Sequence, residues 1–173
     1  MSKNIYLLGM PSSGKSTLGK QIAKILKYDF IDLDARITAS EAKTITEIFS
    51  LNGEAHFRKI ESEQLKKIAP NSSVVVASGG GTPCYFDNID FIKANGVSVF
   101  LDVPPNKLYE RMQNSKKGER PLFNQEGEDL KASLTDKYNS RLPFYKKADL
   151  LIEGDTDAEG ILWILEYQGD IKR

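Results

Sequence analysis

Nine residues near the start of the chain, Gly9-Met10-Pro11-Ser12-Ser13-Gly14-Lys15-Ser16-Thr17, combine two glycines, a lysine and two terminal hydroxyls. Four residues separate Gly9 from Gly14, and Lys15-Ser16 follows directly. This is the spacing of a loop that turns backbone N–H groups inward around phosphate. The apolar run IYLL precedes it and the helical pattern LGKQIAKILK follows it. A loop that ends at a helix N-terminus gains the unpaired amides and dipole that favour an anion. Lys15 is expected to reach the β- and γ-phosphates, and the Ser16 hydroxyl to bind Mg²⁺. Ser12, Ser13, Gly14, Lys15, Ser16 and Thr17 form the expected nucleotide-binding set. A Gly/Ser linker that matches by chance would lack the strand and the helix.

Three further clusters carry candidate chemistry. Asp32-Leu33-Asp34 closes a second apolar run, YDFIDL. In an extended segment residues two apart point the same way, so both carboxylates are expected to face the phosphate. One can hold a water of a Mg²⁺ shell and the other can meet an acceptor hydroxyl; a solvated pair is the plain alternative. Ser78-Gly79-Gly80-Gly81 follows a third run, SVVVA, and three glycines suit close approach of a ligand to the backbone. Arg58 and Arg141 are individually ordinary surface arginines, but together they can converge on a carboxylate. Arg120, with Lys116 and Lys117, sits in a polar stretch whose length suits a lid that brings positive charge over a transferring phosphoryl group. His56 and Cys84 have no partner that completes a ligand set or a nucleophile pair and are read as structural.

The elements that must position these residues follow from periodicity. Strands are predicted at 4–8, 28–33, 73–77, 97–103 and 148–153. Helices are predicted at 17–27, 44–51, 54–69, 88–94, 105–112, 128–145 and 157–167, the sixth bent at Pro143. Residues 114–127 are polar and aperiodic and read as a long loop. Strands that alternate with helices imply an α/β fold: a five-stranded parallel sheet with helices on both faces, in three layers. Right-handed crossovers put the strand C-terminal ends on one edge. Gly9–Ser16, Asp32–Asp34 and Ser78–Gly81 should therefore be neighbours.

Composition narrows the function. The 173 residues suit one domain, and equal numbers of basic and acidic residues argue against a nucleic-acid partner. No apolar run approaches a membrane span, so no membrane partner is expected. The opening MSKN leads straight into a strand, which predicts no signal peptide. A single cysteine allows no internal disulfide, so a cytoplasmic location is expected. No apolar stripe stands out, and a monomer is expected.

From about Lys3 to Tyr145 the chain resembles shikimate kinase, a small P-loop kinase of the nucleoside-monophosphate-kinase type. The resemblance rests on an ordered set: GMPSSGKST, Asp32-x-Asp34, Phe57-Arg58, Gly79–Gly81, Arg120-Pro121-Leu122, and Arg141-x-Pro143-x-Tyr145. It implies a P-loop kinase fold and ATP-dependent phosphorylation of the 3-hydroxyl of shikimate, in aromatic amino-acid biosynthesis. By position it gives Lys15 and Ser16 to phosphate and Mg²⁺, and Asp32 to the metal through water. Asp34 would hold the shikimate hydroxyls, Arg58 and Arg141 its carboxylate, and Gly79, Gly80 and Gly81 its ring substituents. Lys15, Asp34 and Arg120 form the expected catalytic set. By the same resemblance Arg120 would be the lid arginine at the phosphates, and Arg111 would stack on adenine. The acceptor region would span about 33–61 and the lid about 112–125 of one domain, 1–173.

The chain departs from the family at Ser12, where glycine is usual, and at Leu33, where serine or threonine is usual. The segment EGDTDAEG lacks an arginine often found near adenine. Another small-metabolite kinase, such as a gluconate kinase, is the nearest alternative. A monophosphate kinase would call for more arginines in the acceptor region. A guanine-reading switch protein would need aspartate where Tyr109 follows Asn106-Lys107. A shikimate-binding module without catalysis would not need Lys15, Asp34 and Arg120.

Overall fold

The computed structural model describes residues 3–114 and 127–172. Five strands, β1 (Asn4–Leu8), β2 (Asp29–Asp32), β3 (Val74–Ala77), β4 (Gly96–Asp102) and β5 (Leu150–Glu153), alternate with helices. The helices are α1 (Lys15–Leu26), α2 (Leu33–Glu41), α3 (Ile45–Lys66), α4 (Asn88–Asn95), α5 (Pro105–Gln113), α6 (Gly127–Tyr145) and α7 (Ala158–Tyr167). The strands pair in parallel in the order β2-β3-β1-β4-β5. From β1 the chain crosses to β2 and returns through β3, then crosses to β4 on the other side. The direction of winding therefore switches between β1 and β3, where α/β sheets form their ligand crevice. Asp32, Ala77 and Leu7 stand level across the sheet, so the loops that follow them open at one edge.

Alternation along the strands builds two cores. Tyr6, Leu8, Val76 and Phe100 face α2, α3, α4 and α6, where Ile37, Ile60, Ile92 and Leu134 meet them. Ile5, Leu7, Val75 and Val99 face α1 and α7, against Ile22, Ile161 and Leu165. Each such aliphatic side chain contributes about 1.5–3 kcal/mol when fully buried. With both faces covered, the sheet is a rigid base for its edge loops.

Predicted strand ends agree with the structure to within two residues. The segment after β2 is different. Leu33 opens helix α2, which the sequence reading did not anticipate, so Asp34 lies in a first helical turn and not on an extended strand. Asp32 is the N-cap: its Oδ1 accepts the amides of Asp34 and Ala35 at 3.1 and 3.2 Å, as aspartate commonly does there. Leu33 is fully buried in the core and takes no part in the cleft. The two helices expected at 44–51 and 54–69 meet in α3 across a kink at Gly53, whose φ of 81° interrupts the helical backbone. Thr44 and Glu47 close a capping box at its start. Pro143 lies inside α6, which continues through it to Tyr145. The expected lid residues Lys116, Lys117 and Arg120 lie outside the described residues.

Candidate active site

The loops after β1, β2 and β3 line one cleft of about 610 Å³. It gathers residues 12–17 with Asp32, Asp34, Arg58, Gly79, Gly80, Gly81, Arg111 and Arg141. Every candidate site residue within the described residues therefore borders a single cavity. Arg120 is outside them.

The phosphate-type loop folds tightly around its own lysine. Gly9 and Gly14 take φ values of 142° and 100°, which side chains rarely adopt. Lys15 Nζ donates to the carbonyls of Gly9 and Met10 at 2.9 and 2.8 Å and is almost fully buried. Ser12 also sits in the left-handed region, at φ 65°. There its Cβ crowds the following carbonyl, at a cost of roughly 1–2 kcal/mol. Ser12→Gly should raise stability by about 0.5–1 kcal/mol once glycine's greater unfolded freedom is subtracted. This corresponds to a Tm rise of roughly 1–4 °C in calorimetry. A lower Tm would show that the serine side chain is worth more than the strain it brings.

Asp32 divides its carboxylate between two tasks. Oδ1 caps α2, and Oδ2 accepts the Ser16 hydroxyl at 2.7 Å. The first turn of α2 then directs Asp34 into the same cleft. Asp34 is exposed to solvent at the cleft, which it lines together with Asp32, Arg58 and Glu61. Desolvation, then the negative charges of Glu61 and Asp32, raise its pKa to about 6 against the opposing pull of Lys15 and Arg58.

Arg58 is clamped by its own helix. Its Nη1 donates to Glu61 Oε2 at 2.8 Å, with both side chains buried. Its Nε and Nη2 donate to Glu54 Oε1 at 3.2 and 3.0 Å. Arg141 and Tyr145, one turn apart on α6, reach the glycine loop from the other side. The Tyr145 hydroxyl donates to the Gly80 carbonyl, and its ring stacks on Phe100. Arg141 is buried with Nη1 3.7 Å from the Met10 sulfur, a weak acceptor. Among the described residues no carboxylate forms a salt bridge with it.

The three glycines have a reason that spacing could not show. None of them takes a positive φ. A Cβ on Gly79 would stand 2.5 Å from Glu61 Oε1, one on Gly80 2.7 Å from Pro11 Cδ, and one on Gly81 2.7 Å from Arg58 Cζ. The loop is glycine-rich so that the site's own side chains can pack against its backbone.

Arg111 borders the far end of the cleft. It donates to the Ser12 carbonyl at 3.1 Å and to Asp155 at 3.5 Å. Asp155 comes from the EGDTDAEG segment and was not anticipated. Glu54, Glu61, Ile45 and Phe49 were also missed, and Phe57 and Tyr145 were named only as motif residues, with no part in the site. The motif Arg141-x-Pro143-x-Tyr145 could have pointed to Tyr145. The glutamates carry no sequence signal, because helix-surface carboxylates read alike whether or not they turn inward. His56 is exposed. Burial pushes the half-buried Cys84 thiol up to about 11, which leaves it unreactive.

A parallel sheet with a phosphate-type loop at its switch point and a carboxylate and buried arginines across the cleft defines a P-loop kinase for a small acceptor. The family model for shikimate kinase matches residues 11–166. The chain belongs to the shikimate kinase family. It is 42% identical over 163 residues to a shikimate kinase of Clostridium botulinum, which covers 94% of each chain. Among solved structures it is similar to shikimate kinase from Bacteroides thetaiotaomicron, with a TM-score of 0.86 and 34% identity over 96% of this chain and 98% of that one. Shikimate kinase from Acinetobacter baumannii, solved in complex with shikimate, superposes with a TM-score of 0.89 and 30% identity, covering 97% and 95%.

Proposed function

We infer that this chain transfers the γ-phosphoryl group of ATP to the 3-hydroxyl of shikimate. It is a phosphotransferase with an alcohol acceptor, and its product enters aromatic amino-acid biosynthesis. The acceptor oxygen attacks the γ-phosphorus as the bond to the β-phosphate oxygen breaks, and ADP leaves. Lys15 follows the transferring phosphate, and the Ser12–Thr17 backbone cradles the phosphates. Asp34 orients the acceptor hydroxyl and takes its proton late, as the loose transition state collapses. Arg111 lies against the base, and Arg120, outside the described residues, keeps the lid role that the family resemblance implies. Mg²⁺ would be held by the Ser16 hydroxyl and, through water, by Asp32, where it offsets phosphate charge. The all-oxygen pair that these two residues make at 2.7 Å fits a hard cation.

The observation that carries this reading is Arg141. A buried guanidinium with no carboxylate partner among the described residues is costly unless a ligand supplies an anion. Shikimate has one carboxylate and several hydroxyls, which suits two arginines and one aspartate. Arg141→Ala should weaken shikimate binding by roughly 10- to 150-fold, the loss of one charge-assisted contact of about 1.5–3 kcal/mol. ATP affinity should stay the same. Calorimetric titration with each ligand is the test, and a matching loss for ATP would move Arg141 out of the acceptor site. Arg58→Ala is a poorer probe, because it leaves Glu61 buried without its cation and destabilises the fold by about 3–5 kcal/mol.

The site residues described here all come from one chain, and the reading includes a monomeric, cytoplasmic enzyme. Among the described residues no helix is long and apolar enough to cross a membrane.

A further inference from the structure

Tyr85 follows the glycine loop, and no motif singles it out. Its hydroxyl donates to Glu54 Oε1 at 3.0 Å, the same oxygen that accepts Nε and Nη2 of Arg58. Its ring also packs on the guanidinium, with Arg58 Cζ 4.5 Å from the ring centroid. That distance lies within the range of a cation–π contact. Tyr85 therefore touches both the arginine and the carboxylate that holds it. Both residues lie in the part of α3 that follows the break at Gly53, where Glu54 falls one turn before Arg58 on the same face.

A guanidinium carries five N–H groups in one rigid plane. Glu54 and Glu61 take three of them, on Nε, Nη2 and Nη1. One N–H is left on each terminal nitrogen. Glu61 lines the cleft, whereas Glu54 and Tyr85 stand behind Arg58, outside its lining. An arginine held along one edge and stacked on one face cannot rotate about its long side chain. Its fork is already aimed before a ligand arrives, which lowers the ordering cost of binding.

We propose that Tyr85 and Glu54 are positioning residues that set the affinity for the acceptor carboxylate by fixing the plane of the Arg58 guanidinium. The inference rests on the reading of Arg58 as a carboxylate holder. Glu54 is 42% exposed in its side chain, so its pairing with Arg58 adds little to global stability. Its effect should therefore fall on binding and not on folding.

Tyr85→Phe keeps the ring on the guanidinium and loses the hydroxyl. Glu54→Gln keeps the size and an acceptor and loses the charge. Each should raise the Kd and KM for shikimate about 3- to 10-fold, the scale of one hydrogen bond. The kcat and the Kd for ATP should stay within about twofold. The double variant should lose less than the sum of the two, because both act through one guanidinium. Against the carboxamide analogue of shikimate, wild type and variants should bind alike. An unchanged shikimate Kd in both variants would overturn the proposal, as would an equal loss on the carboxamide. Arg58→Lys separates the two levels, since it keeps the charge and loses the fork. If it leaves shikimate binding intact, the carboxylate role of Arg58 fails first and the proposal falls with it. If it weakens binding while Tyr85→Phe and Glu54→Gln do not, the proposal alone fails.

Discussion

Lys15→Ala should lower kcat by at least 10²- to 10³-fold, the scale of losing one preorganised donor at a developing charge. Lys15 is the one cation built into the loop itself. It is buried against the Gly9 and Met10 carbonyls, not loosely held at the cleft surface. Substitution therefore removes the charge-assisted hydrogen bonds to the Gly9 and Met10 carbonyls, and a longer one to Ser13 Oγ, as well as the contact to phosphate. Lys15 itself lines the open cleft, so water can enter the space it leaves, the stability loss should stay near 1–3 kcal/mol and the protein should remain folded. Steady-state kinetics with a thermal melt checks both parts. Turnover near the wild-type rate in a folded variant would remove the loop from the chemistry.

Asp34→Asn should lower kcat on the order of 10²-fold or more, the usual scale for a positioned acid–base group. ATP binding should be nearly unchanged. Asparagine keeps the size but loses the charge and half of the acceptor capacity. Asp32→Asn should instead raise the Mg²⁺ requirement. Rescue of Asp34→Asn by excess Mg²⁺, without rescue of Asp32→Asn, would exchange the two roles.

The pH dependence follows from the same residue. Crowding by protein, Glu61 and Asp32 lifts the Asp34 pKa to about 6. Activity that needs the carboxylate should therefore fall as pH drops through about 6. Stability should change in the opposite sense. The folded pKa lies above the ordinary value of about 4, so between these values the native state holds more protons than the unfolded chain. This part of the stability is present at low pH and is lost as pH rises toward 6. Asp34→Asn should then melt at or above the wild-type temperature at pH 7.5, with the advantage gone at pH 4. A lower Tm at pH 7.5 would mean that the carboxylate stabilises the fold.

The phosphate loop could be read from the sequence because its spacing and its flanking strand and helix are all local. The sheet could be read because β1 and β3 are buried on both faces and show as unbroken apolar runs. The position of Asp34 was legible but its element was not. Helix α2 buries only Leu33 and Ile37, too few apolar residues for a clear period. Asp32 was read as a strand end when it was also a helix cap. Glu54, Glu61, Tyr85 and Asp155 were invisible for a different reason. Each gains its role from a partner on another turn or element, and a charged helix residue has the same appearance whether it faces water or an arginine. The three glycines were legible as a crowded place, but the crowding comes from Glu61, Pro11 and Arg58.

The central claim is the identity of the acceptor. The direct measurement is initial rate with ATP and Mg²⁺ across a panel of shikimate, quinate, gluconate and nucleoside monophosphates, coupled to ADP release, with the product identified by phosphorus NMR. The account predicts stoichiometric phosphate ester on shikimate and a kcat/KM for it far above that for every other compound. A higher kcat/KM for gluconate or a monophosphate, or ADP release without ester on shikimate, would contradict it.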